Sequence, residues 1–434
     1  MVEIILVMGN DPIPTPSIED LQDDPMTDET TSIFRRRELL RPQHVPQKDR
    51  IVGRDREIET VETLLKPAAF GNPPESGFLF GKTGTGKSLV AKHVTGRARG
   101  IAQMQGTTLT AAYVDCDQYN TETRAARKMA FEVRNVIDPD RYIPKEGVGT
   151  SRYYDALWGG DGLLHKSDSL IVILDEIDKL GDDTDEILSK LSRSEEAGKT
   201  GCYISVIAIS NKTDYSDAPD ERVASSFQDD PIIFPPYDAN QLQAILERRI
   251  DAFRDGVLED GVIELTAALA ARDHGDARRA LDILRSAGKL AEKDDRKRVT
   301  EEHVREADEY SDLNRSVQII KNGTPHSRYA LYALAYLTKT RSTDSFSTGE
   351  LYDVYCIVAE IATGESLTHQ RILDLMKKWT LPEITESRHT GGGKSEGSYR
   401  IHRLLHDPDI VMSACVNSSE TQRDVLNKLS ESVS

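Results

Sequence analysis

The run Gly81-Lys82-Thr83-Gly84-Thr85-Gly86-Lys87-Ser88 is the stretch of this sequence best equipped for chemistry. Glycines at 81, 84 and 86 let backbone N–H groups turn inward around a polyphosphate, where side chains would collide with it. Lys87 can reach β- and γ-phosphates, and the Ser88 hydroxyl can ligate Mg²⁺. The apolar Phe78-Leu79-Phe80 precedes the run and a helix-opening Leu89 to Val94 follows. Strand, glycine loop and helix in that order make a phosphate-binding P-loop, a cradle for nucleotide from Gly81 through Ser88.

A second set of chemical groups ends the run Ser169-Leu-Ile-Val-Ile-Leu-Asp175-Glu176-Ile-Asp178. Five consecutive apolar residues suit a strand covered on both faces of a parallel sheet. Its carboxylates then fall at the carboxyl edge, where open α/β sheets place ligands. Asp175 is expected to hold Mg²⁺, largely through water, and Glu176 to orient and deprotonate an attacking water. The plainer alternative is an acidic turn after a core strand. Tyr203 to Ser210 reads as another buried strand, delivering Asn211 to the same edge.

Around these groups the chain supplies the elements that must hold them. Glu57 to Leu65 has helical spacing, Ala111 to Val114 reads as a strand, and Thr123 to Val136 as a helix with Met129, Val133 and Val136 on one side. Residues 143–150 read as a loop before a helix that begins at Tyr153, and 232–237 as a strand closed by two prolines. From Asp238, an N-cap, the pattern stays helical to about Asp308. Within it Gly275-Asp276-Ala-Arg278-Arg279 opens a helix with Ala280, Ile283 and Leu284 inward.

Residues 309–324 read as a linker. Beyond it, helices over 328–337, 347–359 and 368–379 precede two short strands joined by Arg388-His389-Thr390-Gly-Gly-Gly-Lys394. Three helices and a glycine-basic hairpin describe a winged helix, whose third helix reads the major groove while the hairpin meets phosphates or the minor groove. His369, Gln370, Arg371 and Lys377 on that helix, and Arg388, Lys394 and Arg400 on the hairpin, are the candidate DNA contacts. A winged helix used for protein contacts is the alternative.

Composition bounds the rest. The 434 residues leave room for two or three domains. No apolar run is long enough to span a membrane, and the opening residues do not form a secretory signal. Four scattered cysteines fit reduced core thiols in a cytoplasmic protein. Acidic residues number 73 against 55 basic ones, a formal charge of −18, with 34 Arg to 21 Lys. Such a balance suits a cytoplasm of very high salt, where self-repulsion is screened. It argues against nucleic-acid binding by global charge, so that case rests on local features. The most basic stretch holds Arg35, Arg36, Arg37, Arg41, Arg50, Arg54 and Arg56, an arm placed to touch phosphates or simply a solvated face.

Taken together, Ile51-Val-Gly-Arg-Asp-Arg-Glu-Ile58, the P-loop, Leu174-Asp-Glu-Ile-Asp178, Ile209-Ser-Asn211, Arg222-Val-Ala-Ser-Ser226, Phe234-Pro-Pro-Tyr237 and Gly275-Asp-Ala-Arg-Arg-Ala-Leu281 resemble the archaeal Orc/Cdc family of AAA+ replication initiators, over about residues 30 to 410. The resemblance implies an α/β AAA+ P-loop NTPase domain with a helical lid, followed by an α+β winged-helix domain. The corresponding boundaries are a disordered extension 1–31, a nucleotide-binding base 32–237, a lid 238–308, a linker 309–324, a winged helix 325–410 and a tail 411–434. It implies that Asn211 is the first sensor, Arg278 the second sensor, and Arg222 an arginine finger for nucleotide in a neighbouring subunit. Tyr237 and Arg249 match positions beside the nucleotide, and Val45, Ile51 and Val52 lie where the adenine pocket is expected. A DNA-contacting helical insertion should fall within 117–150.

The same resemblance implies ATP/ADP and Mg²⁺ as cofactors. It implies double-stranded origin DNA, the replicative helicase, and initiator paralogues or further copies of the chain as partners. The residues before Met26 and the sparse basic charge of the wing depart from the pattern. Another DNA transaction, such as plasmid partition or transposition, and a DNA-binding regulator without turnover remain the competing readings. Joint retention of Lys87, Asp175, Glu176, Asn211, Arg222 and Arg278 speaks against the latter.

Overall fold

The structure, a computed structural model, describes residues 32–41, 51–194, 198–212, 227, 230–390 and 399–416. The expected extension 1–31, together with Val45, Arg222 and Lys394, lies outside them. The chain divides into two compact units between Val304 and Arg305.

The first unit is built on five parallel strands in the order β2-β3-β4-β1-β5. They are β1 (Gly77–Phe80), β2 (Leu109–Asp115), β3 (Ser169–Asp175), β4 (Tyr203–Ser210) and β5 (Ile232–Ile233). All seven residues of β3 are buried, as expected for a strand covered on both faces. Its side chains alternate: Val172 and Leu174 join a core with helices α3 (Glu122–Ile137), α4 (Thr150–Trp158) and α5 (Asp183–Ser192). Ile171 and Ile173 join the opposite core with α1 (Asp55–Leu65) and α2 (Lys87–Gln105). Register then sets the working edge. Asp115 stands opposite Asp175, and Phe80 opposite Ser210.

A helical lid follows, comprising α6 (Ala239–Glu247), α7 (Val262–Arg272) and α8 (Ala277–Lys293). Asp238 and Gln241 close a capping box at the start of α6. Ala280, Ile283 and Leu284 are buried, as the spacing predicts.

Several expectations are corrected. Val136 is 50% exposed while Met129 and Val133 are fully buried; it lies at the last turn of α3, beyond the packed face. The strand expected over 232–237 stops at Ile233, because Pro235 and Pro236 have no N–H to extend the ladder. In the basic arm, Arg35 pairs with Asp255 and Arg36 with Asp251, both in the lid, while Phe34 packs on Phe253. Those arginines are engaged by the protein's own carboxylates.

Helix α9 (Glu301–Lys321) occupies most of the stretch read as a linker. Val317 and Ile320 are buried in the core of the second unit. That unit contains α10 (Pro325–Thr340), β6 (Ser345–Ser347), α11 (Thr348–Thr363), α12 (His369–Lys377), β7 (Thr385–Thr390), β8 (Tyr399–Leu404) and α13 (Pro408–Cys415). The strands form an antiparallel sheet in the order β6-β8-β7. This is a winged helix. Its core continues past residue 410, since Val411, Met412, Ala414 and Cys415 of α13 are buried in it.

Candidate nucleotide site and nucleic-acid interface

A cavity of about 320 Å³ opens at the carboxyl edge of the sheet, between the P-loop and the lid. Gly84 and Gly86 line it with φ of +75° and +92°. A Cβ on Gly84 would fall 1.7 Å from Asp276 Oδ1, and one on Gly86 2.6 Å from Tyr237 Oη. Only glycine satisfies both the backbone and the space. Lys87 is buried and donates from Nζ to the carbonyls of Gly81 (2.7 Å) and Lys82 (2.8 Å). Burial pulls its pKa down to about 8, with Asp175 opposing and Arg278 adding to the fall. Lys82 and Thr83 are exposed on the outside of the loop, whereas Thr85 is buried and bonds back to the Lys82 carbonyl.

The acids sit across from the lysine. Asp175 accepts the Tyr113 hydroxyl at Oδ2 (2.8 Å) and the Glu176 N–H at Oδ1 (3.1 Å). Glu176 has φ +55°, a conformation rare for a side-chain-bearing residue that re-aims its carboxylate at the strand end. Partial burial and neighbouring Asp117 raise its pKa, while a hydrogen bond from Asn211 and the charge of Lys179 oppose the rise. Asn211 is thus brought to Glu176. Asp178 secures the end of β4 by accepting from Ser210 Oγ at 3.1 Å.

The lid closes the far side. Asp276 caps α8 through the N–H groups of Arg278 (2.7 Å) and Arg279 (3.3 Å). Ala277 N–H bonds to the Gly84 carbonyl at 3.2 Å, so the lid helix begins on the P-loop itself. Arg278 consequently lines the cavity. Arg249 also lines it, though it is nearly buried and donates to the Ile245 carbonyl. Ile51, Val52, Ile245 and Leu281 give the cavity an apolar end suited to a base, and Tyr237 stands beside Gly86.

The oxygen donors fit a hard divalent cation: the Ser88 hydroxyl and the Asp175 carboxylate line one cavity, and each Asp175 oxygen retains a lone pair. The glycine-lined cradle, the lysine and the apolar end likewise fit an adenine nucleotide.

Sequence reading missed four contributors. Tyr113 and Lys92 line the cavity, with Lys92 Nζ 3.6 Å from the Tyr113 ring centroid. Asp276 joins lid to loop. Arg54, read only as part of a basic arm, is buried beneath the P-loop, donates to the Thr85 carbonyl at 2.9 Å and stacks 3.9 Å from the Tyr237 centroid. A tyrosine on an otherwise small and aliphatic strand was the signal for Tyr113.

In the winged-helix unit, α12 buries Ile372, Leu375 and Met376 and leaves His369, Gln370, Arg371 and Lys377 exposed. His369 also packs edge-on to Tyr352, and Lys377 pairs with Asp374 at 2.8 Å. On the hairpin, Arg388 lies opposite Ile401 and His389 opposite Arg400. Successive strand residues alternate faces, so Arg388 and Arg400 point to opposite sides of the wing and do not form one patch.

A parallel P-loop sheet under a helical lid, joined to a winged helix, defines an AAA+ ATPase with a second, nucleic-acid-reader type of domain. Comparisons with known proteins give the same division. An AAA ATPase domain matches residues 50–207, a Cdc6 AAA+ ATPase-type lid domain 243–309, and a CDC6 C-terminal winged-helix domain 318–414. ORC1-type DNA replication protein 4 of Halobacterium salinarum is 42% identical over 92% of this chain and 96% of its own. ORC1-type DNA replication protein 9 of Haloarcula marismortui is 43% identical over 90% and 94%. Among solved structures, the Aeropyrum pernix ORC1 protein in complex with DNA aligns with a TM-score of 0.75 and 31% identity, over 92% of this chain and 99% of that one. The chain belongs to the ORC1-type DNA replication protein family. Relatives from Halobacterium and Haloarcula fit the acidic, arginine-rich composition read as suited to concentrated salt. Among the described residues, no helix is long and apolar enough to cross a membrane.

Proposed function

We propose that this chain is an ATP-charged replication initiator. It recognises duplex origin DNA and helps recruit and load the replicative helicase, alongside initiator paralogues or further copies of itself. The observation that carries this reading is the convergence of Lys87, Asp175, Glu176, Asn211 and Arg278 on one lid-closed cavity. Its counterpart in the second unit is α12, with its exposed polar face. The Aeropyrum relative whose structure holds DNA supports the nucleic-acid role.

In this reading Lys87 leaves the Gly81 and Lys82 carbonyls to bind phosphate oxygens, and Arg278 neutralises charge from the lid. Ser88 and Asp175 would hold Mg²⁺, which supplies charge neutralisation at the phosphates. Asn211 orients Glu176. Glu176 takes a proton from water as its oxygen bonds to the γ-phosphorus, and the bridging bond to ADP breaks. Its raised basicity suits that task. Turnover is expected to be slow, a switch between states, with Arg222 acting on nucleotide in a neighbouring copy. Residues within 117–150 and α12 are the proposed DNA contacts. Mapping the protein on its own genomic DNA, with ATP or ADP in molar KCl, tests the reading. Sequence-specific, nucleotide-dependent footprints are expected; DNA affinity indifferent to sequence, or no affinity for adenine nucleotides, refutes it.

A further inference from the structure

Tyr113 lines the cavity yet has no part in the roles assigned above. Its position follows from register. Asp115 of β2 stands opposite Asp175 of β3, and Tyr113, two residues earlier, shares a face with Asp115. A diagonal neighbour of this kind is within reach of an aromatic side chain. Its hydroxyl spans the gap and meets Asp175 Oδ2 at 2.8 Å, while the Glu176 N–H holds Oδ1 at 3.1 Å. Both oxygens of the carboxylate are thereby pinned, each keeping a lone pair for a ligand. Lys92, from α2, sets its ammonium 3.6 Å from the centroid of the Tyr113 ring. This cation–π contact braces the ring through its face. Phenylalanine would fill the same volume and keep that contact, so the hydroxyl adds one thing: the bond to Asp175.

We propose that Tyr113 is a positioning residue for the cation site, fixing the Asp175 carboxylate in the orientation that receives a divalent metal, with Lys92 as its brace. The inference rests on the reading of this cavity as a Mg²⁺–nucleotide site. Partners of metal-ligating side chains typically contribute 10- to 100-fold to metal affinity. The test is Mg²⁺-dependent binding of a fluorescent ATP analogue to the full chain in molar KCl, repeated with excess EDTA. Tyr113→Phe should raise the half-saturating Mg²⁺ about tenfold, leaving metal-free analogue affinity, which also reports that the variant is folded, at its native value. In an Asp175→Asn background the same change should move the Mg²⁺ midpoint no further. An unmoved midpoint in Tyr113→Phe overturns the proposal. So does an equal loss of metal-free affinity, or a shift that persists without the Asp175 carboxylate. Failure of the native chain to bind the analogue at any Mg²⁺ concentration would instead remove the nucleotide reading beneath it.

Discussion

Arg54→Met is the sharpest test of how the P-loop is supported. The guanidinium is 1% exposed and donates to the Thr85 carbonyl, the Pro235 carbonyl and Glu57 Oε1, while its plane stacks on Tyr237. Methionine fills much of the volume but strands a buried carbonyl, a partly buried one and a mostly buried carboxylate. Breaking a buried pair costs about 3–5 kcal/mol, and each charge-assisted bond about 1.5–3 kcal/mol, with strong overlap between them. A total near 4 kcal/mol is a fair reading of that overlap. At about 2–4 °C per kcal/mol, the first unit should melt about 8–16 °C lower. Its transition is recognisable in a thermal scan as the one that ADP shifts upward. Arg54→Lys should fall between the two, because a single ammonium cannot bridge a fork of partners. Adding Glu57→Gln to Arg54→Met should recover part of the loss by removing the orphaned charge. If Arg54→Lys melts with the native chain, or Arg54→Met loses less than about 1 kcal/mol, the guanidinium is not the strut described.

Other expectations follow from the same site and from the winged helix. Lys87 has a pKa near 8 in the free protein, and phosphates bind its ammonium form. Nucleotide affinity should therefore fall as pH rises above 8, by up to about tenfold per unit, with proton uptake on binding near pH 8.5 by calorimetry; flat affinity without uptake would contradict this. Glu176→Gln should bind ATP normally and hydrolyse it about 10²- to 10⁴-fold more slowly in a phosphate-release assay, and native turnover would remove its assigned role. Arg371→Ala should weaken origin footprints in molar salt, where unchanged protection would take α12 out of the interface. Buried His402 donates or accepts at Thr348 and Ser387, and desolvation lowers its pKa to about 4. The unfolded chain takes up this proton below about pH 6.5 and the folded one only near 4. The winged-helix unit should thus keep this stability above pH 6.5 and lose about 3 kcal/mol by pH 4, a slope that His402→Gln should flatten in pH-dependent melting.

What the sequence revealed was what neighbouring residues carry. The P-loop is a contiguous run, β3 announces itself by five apolar residues before its acids, Asp238 caps a helix as expected, and a second helix opens at Ala277 within the run read as opening one. Contacts between distant elements were not legible. Tyr113 and Asp175 are adjacent only because β2 and β3 pair in one register, and Arg54 matters only because the P-loop folds over it. Helical periodicity also misjudged ends. Val136 keeps phase with Met129 and Val133 but lies past the surface they pack on. Conversely, Val317 and Ile320 carried a helical spacing through polar residues that read as a linker.

The charge of the winged helix recasts the apparent conflict between an acidic chain and a DNA-binding role. Among the described residues, four of its exposed bases already hold carboxylates: Lys377 with Asp374, Arg388 with Glu386, Arg403 with Asp344 and Lys339 with Asp409. Ordinary DNA binding gains free energy by releasing cations condensed on phosphates, a gain that concentrated salt erases. Under the proposed role, each such base trades a carboxylate for a phosphate. The freed carboxylate recruits a cation as the phosphate loses one, so net release per contact is small. Affinity built on such exchanges is modest in dilute salt but declines little as salt rises. Specificity then falls to base edges and groove shape, which is where the exposed His369, Gln370 and Arg371 at the start of α12 are placed to act.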